Sequence, residues 1–78
     1  MMGSPHPPED ELERELRRRM ADWDFIMRQP PKLRAALKLF VETGDSYKAA
    51  KLAGLTVDEF EELRIRARIP KVVMRWGR

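Results

Sequence analysis

The sequence predicts an all-α domain of about four helices that ends in a helix-turn-helix and a short extended tail, and three observations carry this. Apolar residues recur every three or four positions from Leu12 to Met27 and again from Leu33 to Val41. The double proline Pro30-Pro31 and the glycines Gly44 and Gly54 divide these runs where helices must stop. Between Ser46 and Ile65 the stretch SYKAAKLAGLTVDEFEELRI carries start and stop signals for two short helices around Gly54.

Residues 1–7, MMGSPHP, are small, polar and proline-rich, and are expected to be disordered. The helical domain is expected over residues 8–69. Pro8 suits the first helical position, and Glu9, Asp10 and Glu11 suit the positive end of a helix dipole. One long helix is therefore predicted over 8–29, with Leu12, Leu16, Met20, Trp23 and Met27 as its apolar stripe. Glu13 with Arg17 and Glu15 with Arg19 form i,i+4 pairs on its flanks, and Arg17, Arg18 and Arg19 are expected on a solvated face. Trp23, Phe25, Ile26 and Met27 supply more apolar bulk than one face hides, so this helix is read as a dimerisation helix, with packing inside one chain as the other explanation.

A second helix is predicted over 31–43, with Pro31 at its start and Leu33, Ala36, Leu37, Phe40 and Val41 facing inward. Gly44 ends it, and Asp45 or Ser46 caps the next. The helix-turn-helix follows over 45–69. Ala49, Ala50 and Ala53 are small enough for a close helix crossing, and Gly54 takes the turn. Thr56 and Glu59 form a capping box, and Leu55 and Phe60 occupy the positions of a hydrophobic staple. An ordinary helical hairpin with no groove-reading role satisfies the same signals. Pro70 is expected to close the last helix near Arg68 or Ile69. In residues 70–78, PKVVMRWGR, Val72, Met74 and Trp76 alternate with Val73 and Arg75, which suits a strand or an extended peptide for a partner as well as a tail folded back on the core.

With Phe60, Leu63 and Ala67 turned inward, Asp58, Glu62, Ile65 and Ile69 face outward, flanked by Glu61 and Arg66. Double-stranded DNA is the expected partner. The residues assigned to it are Tyr47, Lys48, Lys51, Thr56, Val57, Asp58, Glu61, Arg64, Arg66 and Arg68. The first half of this face is acidic and would repel phosphates unless the neighbouring lysines and arginines outweigh it. Ile65 and Ile69 make the second half apolar, which suits a protein partner better than a groove. Leu16, Met20, Trp23, Met27, Ile65, Ile69 and Trp76 are accordingly assigned to a homodimer or a protein partner.

Composition narrows the classes. The chain has 78 residues and no cysteine, so it forms one small domain with neither disulfides nor thiolate metal sites. That fits a reducing cytoplasm. No apolar run reaches the roughly 20 residues of a membrane span. Charged residues make up 37%, asparagine is absent and Gln29 is the one glutamine, a bias that resembles thermophile usage. Residues 1–30 hold seven acids against five arginines, and residues 31–78 hold eleven basic residues against six acids. Such a basic second half suits phosphate or an acidic surface. His6 stands alone, and neither Ser4 nor Ser46 has a base beside it in sequence, so an enzyme, a metal and a cofactor are not expected.

The residues Gly44, Ser46, Lys48, Ala49, Ala50, Leu52, Ala53, Gly54, Leu55, Phe60, Leu63, Ile69 and Pro70 form a pattern, GDSYKAAKLAGLTVDEFEEL followed by RIP. It resembles small archaeal and bacterial proteins regarded as VapB-like antitoxins, over a stretch from about Leu37 to Val72 that is a little under half the chain. The resemblance implies DNA binding through the helix-turn-helix, dimerisation, and a C-terminal segment that occupies a toxin ribonuclease. The sequence thus points to a small DNA-binding regulator or antitoxin-like protein. Its alternative is a protein-interaction module, neutralising a toxin or dimerising, that keeps the helix-turn-helix shape without reading DNA.

Overall fold

The computed structural model describes residues 8–71, and all of its regular structure is helical. The expectations for residues 1–7 and for the tail from Val72, Trp76 included, fall outside the described residues. The order is α1 (Pro8–Met20), α2 (Trp23–Arg28), α3 (Pro31–Thr43), α4 (Ser46–Ala53) and α5 (Val57–Arg66). Among the described residues, no helix is long and apolar enough to cross a membrane.

The single helix expected over 8–29 is two. Asp22 leaves the helical region at φ −86°, ψ 90°, and its carboxylate accepts from the Phe25 amide at 3.1 Å, so it caps α2. Its own N–H donates to the Ala67 carbonyl at 2.8 Å, which pins the corner between α1 and α2 to the end of α5. Trp23 donates its indole N–H to the Arg18 carbonyl at 2.8 Å and so satisfies one of the last acceptors of α1.

The core lies around α3. Leu37, Phe40 and Val41 of α3 are buried with Ile26 of α2, Ala49, Ala50 and Ala53 of α4, and Phe60 of α5. The Phe40 and Phe60 rings meet at 5.6 Å, tilted by 55°, within the range of favourable aromatic pairs. The helix α3 packs against α1, α2 and α4, and α4 packs against α5.

The helix α1 does not bury its apolar stripe. Leu12, Leu16 and Met20 are exposed, whereas Arg17, expected on a solvated face, is 5% exposed. The reason lies at the end of α3, whose last turn holds no basic residue of its own. Arg17 donates to the Val41 carbonyl at 2.8 Å and Arg14 to the Glu42 carbonyl at 3.2 Å. The Gly44 N–H bonds the Phe40 carbonyl at 2.7 Å and the Thr43 hydroxyl bonds that of Leu39 at 2.9 Å. The Phe40, Val41 and Glu42 acceptors at the helix end are thereby satisfied, and two arginine charges stand at the negative end of the dipole.

The last helix also stops early. It ends at Arg66, and Arg68 adopts the left-handed conformation at φ 59°. The Arg68 N–H then bonds Ile65 and the Ile69 N–H bonds Arg64, the paired closure of a Schellman turn. That turn swings Ile69 inward to 1% exposure, so its assignment to the outer face is corrected.

Candidate functional site

The helix α4 and the helix α5 are joined by Gly54, Leu55 and Thr56. Asp45 starts α4 by accepting from the Lys48 amide at 3.0 Å. Gly54, at φ 75°, closes it, with the Leu55 N–H returning to the Ala50 carbonyl at 2.9 Å. The α5 capping box is complete: the Thr56 hydroxyl accepts from the Glu59 amide at 3.1 Å, and the Glu59 carboxylate accepts from the Thr56 amide at 3.0 Å.

These caps place the assigned residues in two groups. Tyr47, Lys48 and Lys51 are exposed along α4, Tyr47 to 76%. Thr56 and Asp58 are exposed at the start of α5, Val57 is half-buried, and Arg66 and Arg68 are exposed beyond it. Ile65 stands out at 62% exposure, beside Asp58 and Glu62.

Glu61 and Arg64 belong to the other group, because both are engaged within the chain. The Arg64 Nε donates to Glu61 Oε1 at 2.7 Å, and the same guanidinium donates to the Ile69 carbonyl at 2.8 Å and lies 6.0 Å over the Phe40 ring. Its side chain is 12% exposed. The other Glu61 oxygen accepts from the buried Ser46 hydroxyl at 2.7 Å and from Lys71 at 3.3 Å. Partial burial pushes the Glu61 carboxyl up, but the Ser46 hydroxyl, Arg64 and Lys71 outweigh it and hold the group below its ordinary value. Arg64 is therefore a structural cation. Sequence spacing placed it beside Arg66 without revealing that the chain folds back over it.

Of the residues assigned to a dimer or protein partner, Leu16, Met20 and Met27 are exposed, and Trp23 is half-buried against the core. Sequence reasoning missed a shallow groove of about 290 Å³ between the start of α3 and α5, lined by Leu33, Leu55, Glu59, Glu62, Leu63 and Arg66. Glu59, Glu62, Leu63 and Arg66 share one face of α5, but Leu33 joins them from a distant part of the chain, which spacing alone does not reveal.

Comparison with known protein families, with curated proteins and with solved structures gives no match.

Proposed function

We propose that this chain is a small DNA-binding protein of regulator or antitoxin type, in which α4 and α5 act as a helix-turn-helix. The observation that carries the reading is the division of charge around α5. Lys48, Lys51, Arg66 and Arg68 stand in solvent with Tyr47, whereas Glu61, which would oppose a phosphate backbone, has its charge met inside the chain by Arg64 and Lys71. In this reading the start of α5, from Thr56 to Asp58, approaches the major groove, and the four cations contact phosphates on either side. The likeness to VapB-like antitoxins in the pattern from Gly44 to Pro70 supports the antitoxin half of the proposal.

A second reading is favoured by one observation. The outermost strip of α5, Asp58, Glu62 and Ile65, is acidic and apolar, the character of a protein-binding surface. Here the shape of the helix pair would serve a basic, apolar protein partner of toxin type.

Titration of salt against binding to mixed-sequence duplex DNA separates the two. The first reading expects log affinity to fall steeply with log salt, and replacing Lys48, Lys51, Arg66 and Arg68 by Ala should flatten the slope by about 3 to 4 units. Absence of binding even at low salt would sink it and leave the protein partner.

A further inference from the structure

Lys32 carries a charge that the fold itself does not use. It lies in the first turn of α3, at the positive end of that helix dipole, where a cation is unfavourable and where α3 holds no acid. Among the described residues its ammonium meets neither a carboxylate nor a carbonyl. Nearby Arg34 shows the contrast, because its guanidinium donates to the Met27 and Gln29 carbonyls, each at 3.4 Å, and so serves the end of α2. Lys32 is exposed and has no such task.

What the fold does with Lys32 is bring it to the turn of the helix pair. The helices α3 and α4 pack side by side with a tight corner at Gly44, so the start of α3 comes back beside the end of α4. The Lys32 Nζ stands 4.0 Å from where a Cβ on Gly54 would be, and no side chain beyond the two chain neighbours of Gly54 comes closer. Gly54 is itself exposed, so the turn is open with an ammonium beside it. Lys51, in the last turn of α4, is exposed at the same end. Glu59, which shares the groove with Leu33, gives its Oε1 to the Thr56 amide.

We propose that Lys32 is a phosphate contact, so that the DNA surface runs from the α4 and α5 pair onto the start of α3. The inference rests on the DNA-binding reading. As Thr56 to Asp58 approach a groove, the strand bordering that groove passes the turn that precedes them, and Lys32 meets it there together with Lys51. A compact ammonium on a flexible stem acts on a phosphate as a point charge and carries no base preference. Sequence order conceals the contact, since Lys32 precedes the helix pair by the whole of α3.

Single variants of equal charge, titrated with salt against mixed-sequence duplex DNA, test it. Lys32→Ala should lower the slope of log affinity against log salt by about one unit relative to wild type, and Lys32→Arg should retain the wild-type slope. Lys38→Ala, which removes the same charge from an exposed position further along α3, should leave the slope as it is. The urea midpoint of Lys32→Ala should equal or exceed that of wild type, because a cation leaves the positive end of a dipole. Three outcomes would overturn the proposal while wild-type binding keeps the DNA reading: an unchanged slope in Lys32→Ala, an equal loss in Lys38→Ala, or a loss accompanied by a lowered urea midpoint, which marks a structural role. A wild type that does not bind even at low salt would sink both, and that failure is read in the wild type itself.

Discussion

Arg17 and Gly44 hold each other in place. Gly44 sits at φ 71°, and a Cβ there would lie 2.9 Å from one terminal nitrogen of Arg17 and 3.2 Å from its Cζ. Gly54 has nearly the same backbone, φ 75°, but the nearest atom to its Cβ would be Lys32 Nζ at 4.0 Å. The two glycines thus separate backbone strain from crowding. Alanine at either should cost about 1 kcal/mol for the left-handed conformation. Gly44→Ala should lose about 1 to 2 kcal/mol more, because the guanidinium is pushed off the Val41 carbonyl. Urea denaturation of the two variants measures the difference, and equal losses would mean that Arg17 gives way freely. Nothing in the run Arg17, Arg18, Arg19 distinguishes the buried member. A burial pattern follows apolar residues, and here the helix turns an arginine inward to serve another helix.

At the scale of elements, legibility followed the strength of local chemistry. Pro31, Gly44, Asp45, Gly54 and the Thr56 and Glu59 box each act within a few residues of themselves, and the bounds of α3, α4 and the start of α5 fall where these residues predict. The expected 8–29 helix failed because periodicity from Leu12 to Met27 runs straight across the corner at Ala21 and Asp22. An aspartate inside a periodic run reads equally well as a surface residue or as a cap, and the bond from its amide to Ala67, far along the chain, decides between them. Asp22→Ala should therefore cost about 1 kcal/mol in chemical denaturation, as lost N-caps do, while Asp24→Ala, one turn position further into α2, should cost a few tenths. Equal effects would show that the Asp22 carboxylate does not set the corner. The end of α5 was misplaced for a similar reason, since Arg68 takes a left-handed conformation that sequence leads one to expect of glycine.

For the molecule as a whole, the Glu61 cluster joins parts that few other polar contacts join. Ser46 belongs to α4, Glu61 and Arg64 to α5, and Ile69 and Lys71 to the stretch that follows α5. Asp58 and Glu62 stay exposed on the outer strip of α5, whereas the cluster commits Glu61 and Arg64 within the chain. Folding favours the ionised carboxylate, since its pKa in the fold lies below the ordinary 4.5. The unfolded chain therefore takes up the proton first, and the contribution of the cluster is complete above that ordinary value and lost as pH falls through the lower, folded pKa. Glu61→Gln carries no charge and keeps one acceptor oxygen, enough for Arg64, while its amide nitrogen faces the Ser46 hydroxyl, which can turn to accept. Its deficit in unfolding free energy relative to wild type should be largest near neutral pH and should shrink well below pH 4.5, in the range where the wild-type carboxyl is itself neutral. A deficit that stays constant across that range would mean that Glu61 acts by shape alone, and that the negative charge of α5 remains available to repel phosphate.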